Sequence, residues 1–307
     1  YILADARLAD MPRPKLWEHR VPGQVFIVEQ HARHPQAGPG LYFDAFIPDM
    51  NAFNNRGGRA HPTLTIGGRP NLTEPAAQML RERFGDNAPG DLIYYLAALT
   101  GHPGYVRTFD EPLQQAGIRV PLTADPELWG RAVQLGKQVV WLHTYGERGE
   151  PLPDMKYLHQ LPEGADYTLP TPTVDMGKTM PEKKPSFSPD PVDSLSEEEN
   201  IPVTGTVSFG QARCENVEKR VFDYTVGGNQ VLGLWAKYRL KKPVVRRSSS
   251  LNDIVQREWP EAWSEEYERL LYTLTHLVHL EPAQEKLLDE VLAGEQIFRE
   301  EFVDTED

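Results

Sequence analysis

The hydrophobic period of the chain changes near Asn71, and this change limits the possible folds more than any other feature of the sequence. Before it, short aromatic and β-branched runs bounded by Gly and Pro occupy residues 24–29, 41–47 and 62–66, a pattern that predicts strands. After it, apolar residues recur at steps of three and four, as from 128 to 142, which predicts helices that bury one face. We therefore expect an α+β fold.

The ends of the helices follow from local chemistry. Asp125 and Pro126 are suited to start one helix, and Asp91 is the predicted N-cap of an earlier one. Near the C-terminus Pro282 separates two apolar faces, so we expect two helices there. The predicted order is an N-terminal β-rich part, a helical body and a C-terminal helical hairpin.

Composition divides the chain into three parts. Residues 1–164 carry the first strands and helices and are expected to begin a single domain. Residues 165–200 are rich in Pro, Ser, Lys and Glu, which indicates a long mobile loop or linker without assigned structure. Residues 201–307 are expected to complete the same domain with strands, a turn and the terminal helices.

A pair of glycines interrupts the last part. Strand-like residues at 201–207 and 220–224 precede Gly227-Gly228, which permits a sharp reversal into a helix. A helix N-terminus behind such a turn could bind phosphate, and Asn229 and Gln230 are placed to take part. A structural turn is the favoured interpretation.

A formal net charge of −13 argues at first against a nucleic-acid partner, because phosphate contacts need Lys and Arg. The acid is unevenly distributed: residues 258–307 contain 15 acidic and three basic residues, a net of −12 that leaves −1 for the rest. Residues 237–247, in contrast, contain six basic residues and no acid. One region could therefore contact phosphate while another faces solvent or a neighbouring domain.

The compartment is predicted from what the chain lacks. No apolar run approaches the roughly 18 residues of a membrane-spanning helix, and the N-terminus lacks the layout of a signal peptide. The single cysteine, Cys214, cannot form an internal disulfide and is expected to be inert. We expect a cytoplasmic protein with no membrane partner. Because it begins with Tyr1, we expect it to be a piece of a longer polypeptide.

Motifs for catalysis are incomplete. The Asn/Asp-Pro-Pro-Tyr/Phe tetrapeptide of adenine methyltransferases is absent. Residues 177–179 read Gly-Lys-Thr but lack the earlier glycine of a P-loop. Residues 154–156 offer the Asp-x-Lys of a nuclease without a nearby acidic partner, so solvated charges are the favoured interpretation. His276 and His279 could share a metal, but without a further ligand nearby we predict no metal site.

Two distant segments resemble one known family. The first begins at Gly90-Asp91-Leu92, continues through His102-Pro103-Gly104-Tyr105 and is followed by Arg119-Val120-Pro121-Leu122. The second is Tyr224-Thr225-Val226-Gly227-Gly228, followed by the terminal helices. This order, from about residue 90 to residue 292, resembles the C-terminal specificity domain of the type ISP restriction-modification enzymes. Residues 12–25 resemble the entry to such domains.

The resemblance implies a function without catalysis. In that family, a nuclease, a helicase motor and an adenine methyltransferase share one polypeptide with the domain that chooses the DNA sequence. It implies double-stranded DNA and the upstream methyltransferase and helicase-nuclease domains as partners, in a phage-defence system. It implies no cofactor in this chain and S-adenosylmethionine in the parent enzyme.

The residues that contact DNA are predicted from chemistry alone. Arg pairs with guanine, and Asn or Gln pairs with adenine, so a loop rich in them suits base contacts. The base-contacting candidates are Asn54, Asn55, Arg56 and Arg59. The candidates for phosphate contact are Lys237, Arg239, Lys241, Lys242, Arg246 and Arg247. A solvated turn and a merely soluble helix end remain the respective alternatives.

Two further functions stay open. An acidic protein-interaction scaffold, in which the C-terminal helices dock a basic partner without any DNA, fits the overall charge. An intact methyltransferase or nuclease is the weakest hypothesis, because its motifs are missing.

Overall fold

The structure, a computed structural model, describes residues 13–31, 34–48, 53, 58–115, 117–191, 202–242 and 256–298. The chain divides into two compact units: unit 1 comprises Tyr1–Leu152 and Leu280–Asp307, and unit 2 comprises Pro153–His279. Helices and small sheets occur in both units, which confirms the α+β class. Among the described helices, none has the length and apolarity to cross a membrane.

Unit 1 combines a three-stranded antiparallel sheet with packed helices. Its elements are α1 (Pro14–Glu18), β1 (Phe26–Gln30), β2 (Leu41–Asp44), β3 (Gly58–Pro62), α2 (Glu74–Phe84), α3 (Ala88–Thr100), α4 (Pro103–Thr108), α5 (Asp110–Leu113), β4 (Leu122–Thr123), α6 (Pro126–His143) and β11 (Gln296–Ile297). Strand β1 lies between β2 and β3, and β4 pairs with β11.

The third strand lies earlier than the sequence predicts. Residues 62–66 were the expected strand, but β3 ends at Pro62, which is opposite Phe26 in the ladder. The backbone amides of Thr63 and Leu64 instead donate to the side-chain oxygen of buried Gln24, each at 2.9 Å. The side chain of Gln24 thus supplies the partner of the Leu64 amide, while the Thr63 amide is shared with the carbonyl of Val25 at 3.1 Å.

Helices α3 and α6 form the centre of unit 1. Asp125 caps α6 as predicted, since its carboxylate accepts from the amides of Glu127 at 2.7 Å and Leu128 at 3.4 Å. The two helices approach so closely that a Cβ on Gly136 would lie 1.7 Å from the carbonyl oxygen of Tyr94. Only glycine fits there.

Asp91 does not cap α3, so that prediction is wrong. The helix starts at Ala88, behind the N-cap position Asn87, and Asp91 lies in its first turn. Pro89 explains the earlier start, because proline suits the first positions of a helix and its ring is buried here.

Two tyrosines fix the segment that follows α5. The hydroxyl of Tyr95 donates to the carbonyl of Pro121 at 2.8 Å and accepts from the amide of Thr123 at 3.0 Å. The hydroxyl of Tyr105 donates to the carbonyl of Arg119. The parts of the first family-like segment are thus joined by hydrogen bonds.

Unit 2 is built on a four-stranded antiparallel sheet in the order β5-β8-β7-β6. Its elements are β5 (Thr171–Val174), β6 (Ser186–Pro189), β7 (Thr204–Phe209), β8 (Ala212–Glu218), α7 (Lys219–Phe222), β9 (Thr225–Val226), β10 (Asn229–Gln230) and α8 (Val231–Lys237). A long helix, α9 (Glu261–Ala293), begins in unit 2 and ends in unit 1.

The Pro-rich stretch 165–200 differs from the loop or linker expected there. It contains β5 and β6, and Met176 and Met180 between them are buried. Both strands lie at the edges of the sheet, where a proline costs no ladder hydrogen bond. Prolines at 172 and 189 are therefore compatible with strand structure.

Two further elements correct the sequence predictions. Residues 220–224, a predicted strand, contain most of α7, because Val221 is buried and the amide of Asp223 donates to the carbonyl of Lys219. The C-terminal hairpin is instead the single helix α9, 33 residues long with Pro282 inside it. Pro282 is exposed, and buried residues continue at helical spacing on both sides of it. Their burial offsets the roughly 3 kcal/mol that an interior proline costs.

Candidate functional site

The candidate site lies on the sheet of unit 1, around Arg59. In the ladder between β1 and β3, Arg59 is directly opposite Glu29. Its side chain is 53% exposed, and its Nε lies 4.0 Å from the carboxylate of Glu29. Its terminal nitrogen donates to Nε2 of His31 at 2.7 Å. Because that nitrogen accepts, the proton of a neutral His31 is on Nδ1, which lies 3.3 Å from the same carboxylate.

Glu29 joins three basic side chains. It is 8% exposed, and its Oε1 also lies 3.2 Å from Nε2 of His61. Burial by itself would raise the pKa of Glu29, but the hydrogen bond with His61 and the charges of the neighbouring imidazole and guanidinium groups outweigh it. The pKa of Glu29 therefore lies below its ordinary value. The carboxylate is therefore ionised at neutral pH and lies beside the half-exposed guanidinium.

Strand geometry explains why these residues meet. Side chains alternate between the faces of a strand, so Glu29 and His31 share one face of the chain leaving β1. Arg59 and His61 share the same face of β3, because Arg59 pairs with Glu29 across the ladder. This cluster, Glu29, His31, Arg59 and His61, is called the Arg59 cluster below. It surrounds a half-exposed guanidinium that is hydrogen-bonded to His31.

Of the four base-contacting candidates, only Arg59 can be placed. Asn54, Asn55 and Arg56 lie outside the described residues. The sequence prediction missed Glu29, His31 and His61. The alternation of β1 was a usable signal for Glu29 and His31, but their pairing with β3 depends on a register that a single sequence does not reveal.

Arg239, a predicted phosphate contact, has a different environment. One terminal nitrogen of its guanidinium donates to both carboxylate oxygens of Glu266, at 2.8 and 3.0 Å. It also lies 4.1 Å from the ring centre of Trp235 and 5.4 Å from that of Trp263. With 20% of its side chain exposed, it links the segment after α8 to α9 within unit 2. This is a packing arrangement.

The three described lysines of the basic run are more exposed than Arg239. Lys241 pairs with Glu182 at 2.6 Å, and Lys237 lies 5.8 Å from the ring centre of the exposed Tyr238. Lys242 is exposed as well. Arg246 and Arg247 lie outside the described residues.

The glycine pair forms a turn. Gly227 and Gly228 have φ values of 56° and 75° and connect β9 to β10. The side chain of Gln230 donates to the carbonyl of Phe222 at 2.7 Å, and that of Asn229 donates to the carbonyl of Gly227 at 3.4 Å. These bonds favour the structural interpretation of the segment.

The two histidines of α9 make separate hydrogen bonds in unit 2. Nε2 of His276 donates to the carbonyl of Leu158 at 2.8 Å, so its Nδ1 accepts from the hydroxyl of Tyr167 at 2.8 Å. His279 binds Glu218 at 2.5 Å and stacks on Tyr167. Within the described ranges, no three His, Cys, Asp or Glu residues are grouped to hold a metal ion.

Cys214 lies on the buried face of β8. Burial raises the pKa of its thiol to about 12, and the nearby carboxylates of Glu268 and Glu215 act in the same direction. The thiol is therefore protonated and a poor nucleophile, as expected from the sequence.

Several solved structures resemble this chain, and three of them each match about nine tenths of its length. A cryoEM structure of a DrdV–DNA complex has 17% identity and a TM-score of 0.54, and the match covers 90% of this chain and 25% of that one. A nuclease-deletion mutant of the type ISP restriction-modification enzyme LlaGI, in complex with a DNA substrate mimic, has 14% identity and a TM-score of 0.50, with coverages of 90% and 22%.

The third is the ATP-dependent type ISP restriction-modification enzyme LlaBIII bound to DNA. It has 13% identity and a TM-score of 0.52, and the match covers 89% of this chain and 16% of that one. The chain thus spans a quarter or less of the proteins whose fold it shares. A search of curated proteins finds no match.

The family comparison agrees with the resemblance seen in the sequence. The model of the type ISP C-terminal specificity domain matches residues 1–272, most of the chain, including the Arg59 cluster and the Gly227-Gly228 turn. The protein is therefore a member of the family of type ISP C-terminal specificity domains.

Proposed function

We propose that this chain recognises a short sequence in double-stranded DNA for a larger restriction-modification enzyme. The observation that carries the proposal is its membership of a specificity-domain family over residues 1–272. The structures that share its fold were solved as complexes with DNA or a DNA mimic, which supports the same partner here. The chain itself catalyses nothing; methylation with S-adenosylmethionine, and any cleavage, belong to other parts of the cytoplasmic parent enzyme.

The Arg59 cluster supports a role in base recognition. An arginine fork recognises the two acceptors of guanine in the major groove, and its specificity depends on a fixed orientation. Glu29 and His31 supply that orientation while more than half of the arginine side chain stays exposed. Asn54, Asn55 and Arg56, just before it in the chain, remain predicted base contacts, and the exposed Lys237, Lys241 and Lys242 remain predicted phosphate contacts.

Selection from a randomised duplex pool tests this function. The purified chain should enrich one short asymmetric sequence, and its affinity should fall linearly in log salt, with a slope of about −0.9 per phosphate neutralised. Enrichment of no sequence at low ionic strength, with the protein shown to be folded, would contradict the proposal.

The second candidate function is an acidic scaffold that docks a partner domain without DNA. The 15 acidic residues among 258–307 favour it. In that case the chain would retain a basic protein partner and show no salt-dependent binding to any duplex. The same salt series therefore separates the two functions.

A further inference from the structure

An open cleft of about 290 Å³ lies in unit 1 between the start of α3 and the sheet. Val25 and Ile27, from the β1 side, line one wall, and Ile93 and Leu96 of α3 line the other. Apolar walls on two sides suit a flat, largely apolar group. The volume is near the lower end of that of small-molecule sites, so it suits a single ring system.

The cleft also has polar groups. Asn71, His61 and Tyr94 line it, and it has no Asp, Glu, Lys or Arg among its lining residues. The side-chain nitrogen of Asn71 donates to the carbonyl of Pro62 at 2.9 Å, which fixes the carboxamide while the residue stays exposed. Such a lining would leave an aliphatic occupant with unmatched polar groups, whereas a neutral heteroaromatic ring can pair with them.

Gly90 keeps one side of the cleft open. It lies in the first turn of α3, and a Cβ added there would meet no atom within 4 Å. Alanine would therefore fit, and glycine costs the helix about 1 kcal/mol relative to alanine. Packing alone does not require glycine at this position, in contrast to Gly136.

The cleft is connected to the Arg59 cluster. His61 lines it and also binds Glu29, whose neighbour Arg59 is exposed. A nucleotide has this combination of parts: a neutral planar base and, one sugar away, an anionic phosphate. The lining, which has no carboxylate, Lys or Arg, matches the base, and the guanidinium beside it matches the phosphate.

We propose that this cleft binds one unpaired nucleobase of the DNA held by the protein, with its phosphate near Arg59. The inference rests on the proposed function and adds a contact to it. Asn71 would pair with the base edge and Tyr94 would contact the ring, while the rest of the duplex stays paired.

A bulged duplex tests the inference. Its single extrahelical nucleotide is 2-aminopurine, whose fluorescence changes when it leaves solvent, and the reference is the same duplex without the bulge. We expect about tenfold tighter binding of the bulged duplex, since stacking of one base on protein contributes about 1–3 kcal/mol. A duplex whose bulge is abasic should bind no more tightly than the duplex without a bulge. If the abasic bulge binds as tightly as the 2-aminopurine bulge, the protein responds to DNA bending alone, and the inference is overturned.

Gly90→Leu fills the cleft, and Gly130→Leu is the matched control. Gly130 is also in a helix, α6, and is also open around its Cβ, but it does not line the cleft. Both variants should melt no lower than the original chain. Gly90→Leu should abolish the preference for the bulge and the fluorescence change, and Gly130→Leu should keep both; a preference that survives Gly90→Leu would overturn the inference.

Two outcomes separate this inference from the proposed function. If neither duplex binds and random selection also fails, the proposed function is wrong and the inference falls with it. If both duplexes bind equally well, DNA binding stands and only the cleft is misassigned. Asn71→Ala, which leaves the cleft open, should weaken the preference severalfold without changing the affinity for the paired duplex.

Discussion

Two arginines, one in each unit, both contact a glutamate, and yet their surroundings differ. Arg59 lies 4.0 Å from Glu29 with its side chain 53% exposed, whereas Arg239 contacts Glu266 at two points with 20% exposed. In unit 1 the carboxylate is buried and the guanidinium is open. In unit 2 two tryptophan rings flank the guanidinium. Both arginines carry the same charge, so the burial of the side chain decides whether the guanidinium is available to a ligand.

The largest expected effect is on the folding of unit 2. Arg239→Ala removes the hydrogen bonds to both carboxylate oxygens of Glu266 and the packing on two tryptophans, so the free energy of unfolding should fall by about 2–3 kcal/mol. Urea denaturation measures this. Lys237 is exposed and lies two positions before Arg239 in the chain. Lys237→Ala should change the free energy of unfolding by less than about 0.5 kcal/mol. An unchanged stability for Arg239→Ala would break the comparison.

The next effect is on binding by unit 1. Arg59→Ala should change the free energy of unfolding by less than about 0.5 kcal/mol, but weaken binding to the selected sequence by about 1–3 kcal/mol. Competition titrations with selected and random duplexes measure the difference. Arg59→Lys should not restore it, because a lysine lacks the planar fork. Equal losses on both duplexes would remove Arg59 from the base contacts.

A smaller and uniform effect is expected for an exposed pair of unit 2. Lys241 and Glu182 are 60% and 70% exposed, so solvent screening leaves their contact with little effect on stability. Lys241→Ala should weaken all duplexes alike and lower the salt slope by about one. A sequence-dependent loss would show instead that Lys241 contacts a base.

The smallest effect concerns acid stability in unit 1. The folded-state pKa of Glu29 lies below its ordinary value of 4.5, so its ionised form contributes stability above that pH, and the contribution is lost as the pH falls through the folded pKa. Glu29→Gln should therefore show a shallower loss of stability below about pH 4.5. Urea midpoints across a pH series measure it; identical slopes would mean that Glu29 does not hold its neighbours as described.

Features set by neighbouring residues were predicted well from the sequence. The N-cap of α6 at Asp125 and the reversal at Gly227-Gly228 depend on chemistry within a few positions, and both are confirmed. The family was likewise identified from the order of local segments. By contrast, the start of α3 was wrong because two adjacent signals, Asp91 and Pro89, competed.

Features set by distant partners were missed. The strands β5 and β6, within residues 165–200, form by pairing with β8 and β7 at the two edges of a sheet. The composition of the segment cannot show this pairing. The continuity of α9 across Pro282 depends on burial on both sides. In the candidate site, Arg59 was predicted from its residue type, while Glu29, His31 and His61 depend on the register between β1 and β3.

The two phenol groups of unit 1 have a consequence for how the chain tolerates variation. The hydroxyls of Tyr95 and Tyr105 form hydrogen bonds with backbone atoms of Arg119, Pro121 and Thr123. These bonds hold an irregular backbone segment in place. Loss of one oxygen atom at residue 95 would leave a carbonyl and an amide without their partners. The side chain of Val120, between these attachment points, packs against the hydrophobic core of unit 1, so it too should tolerate little change.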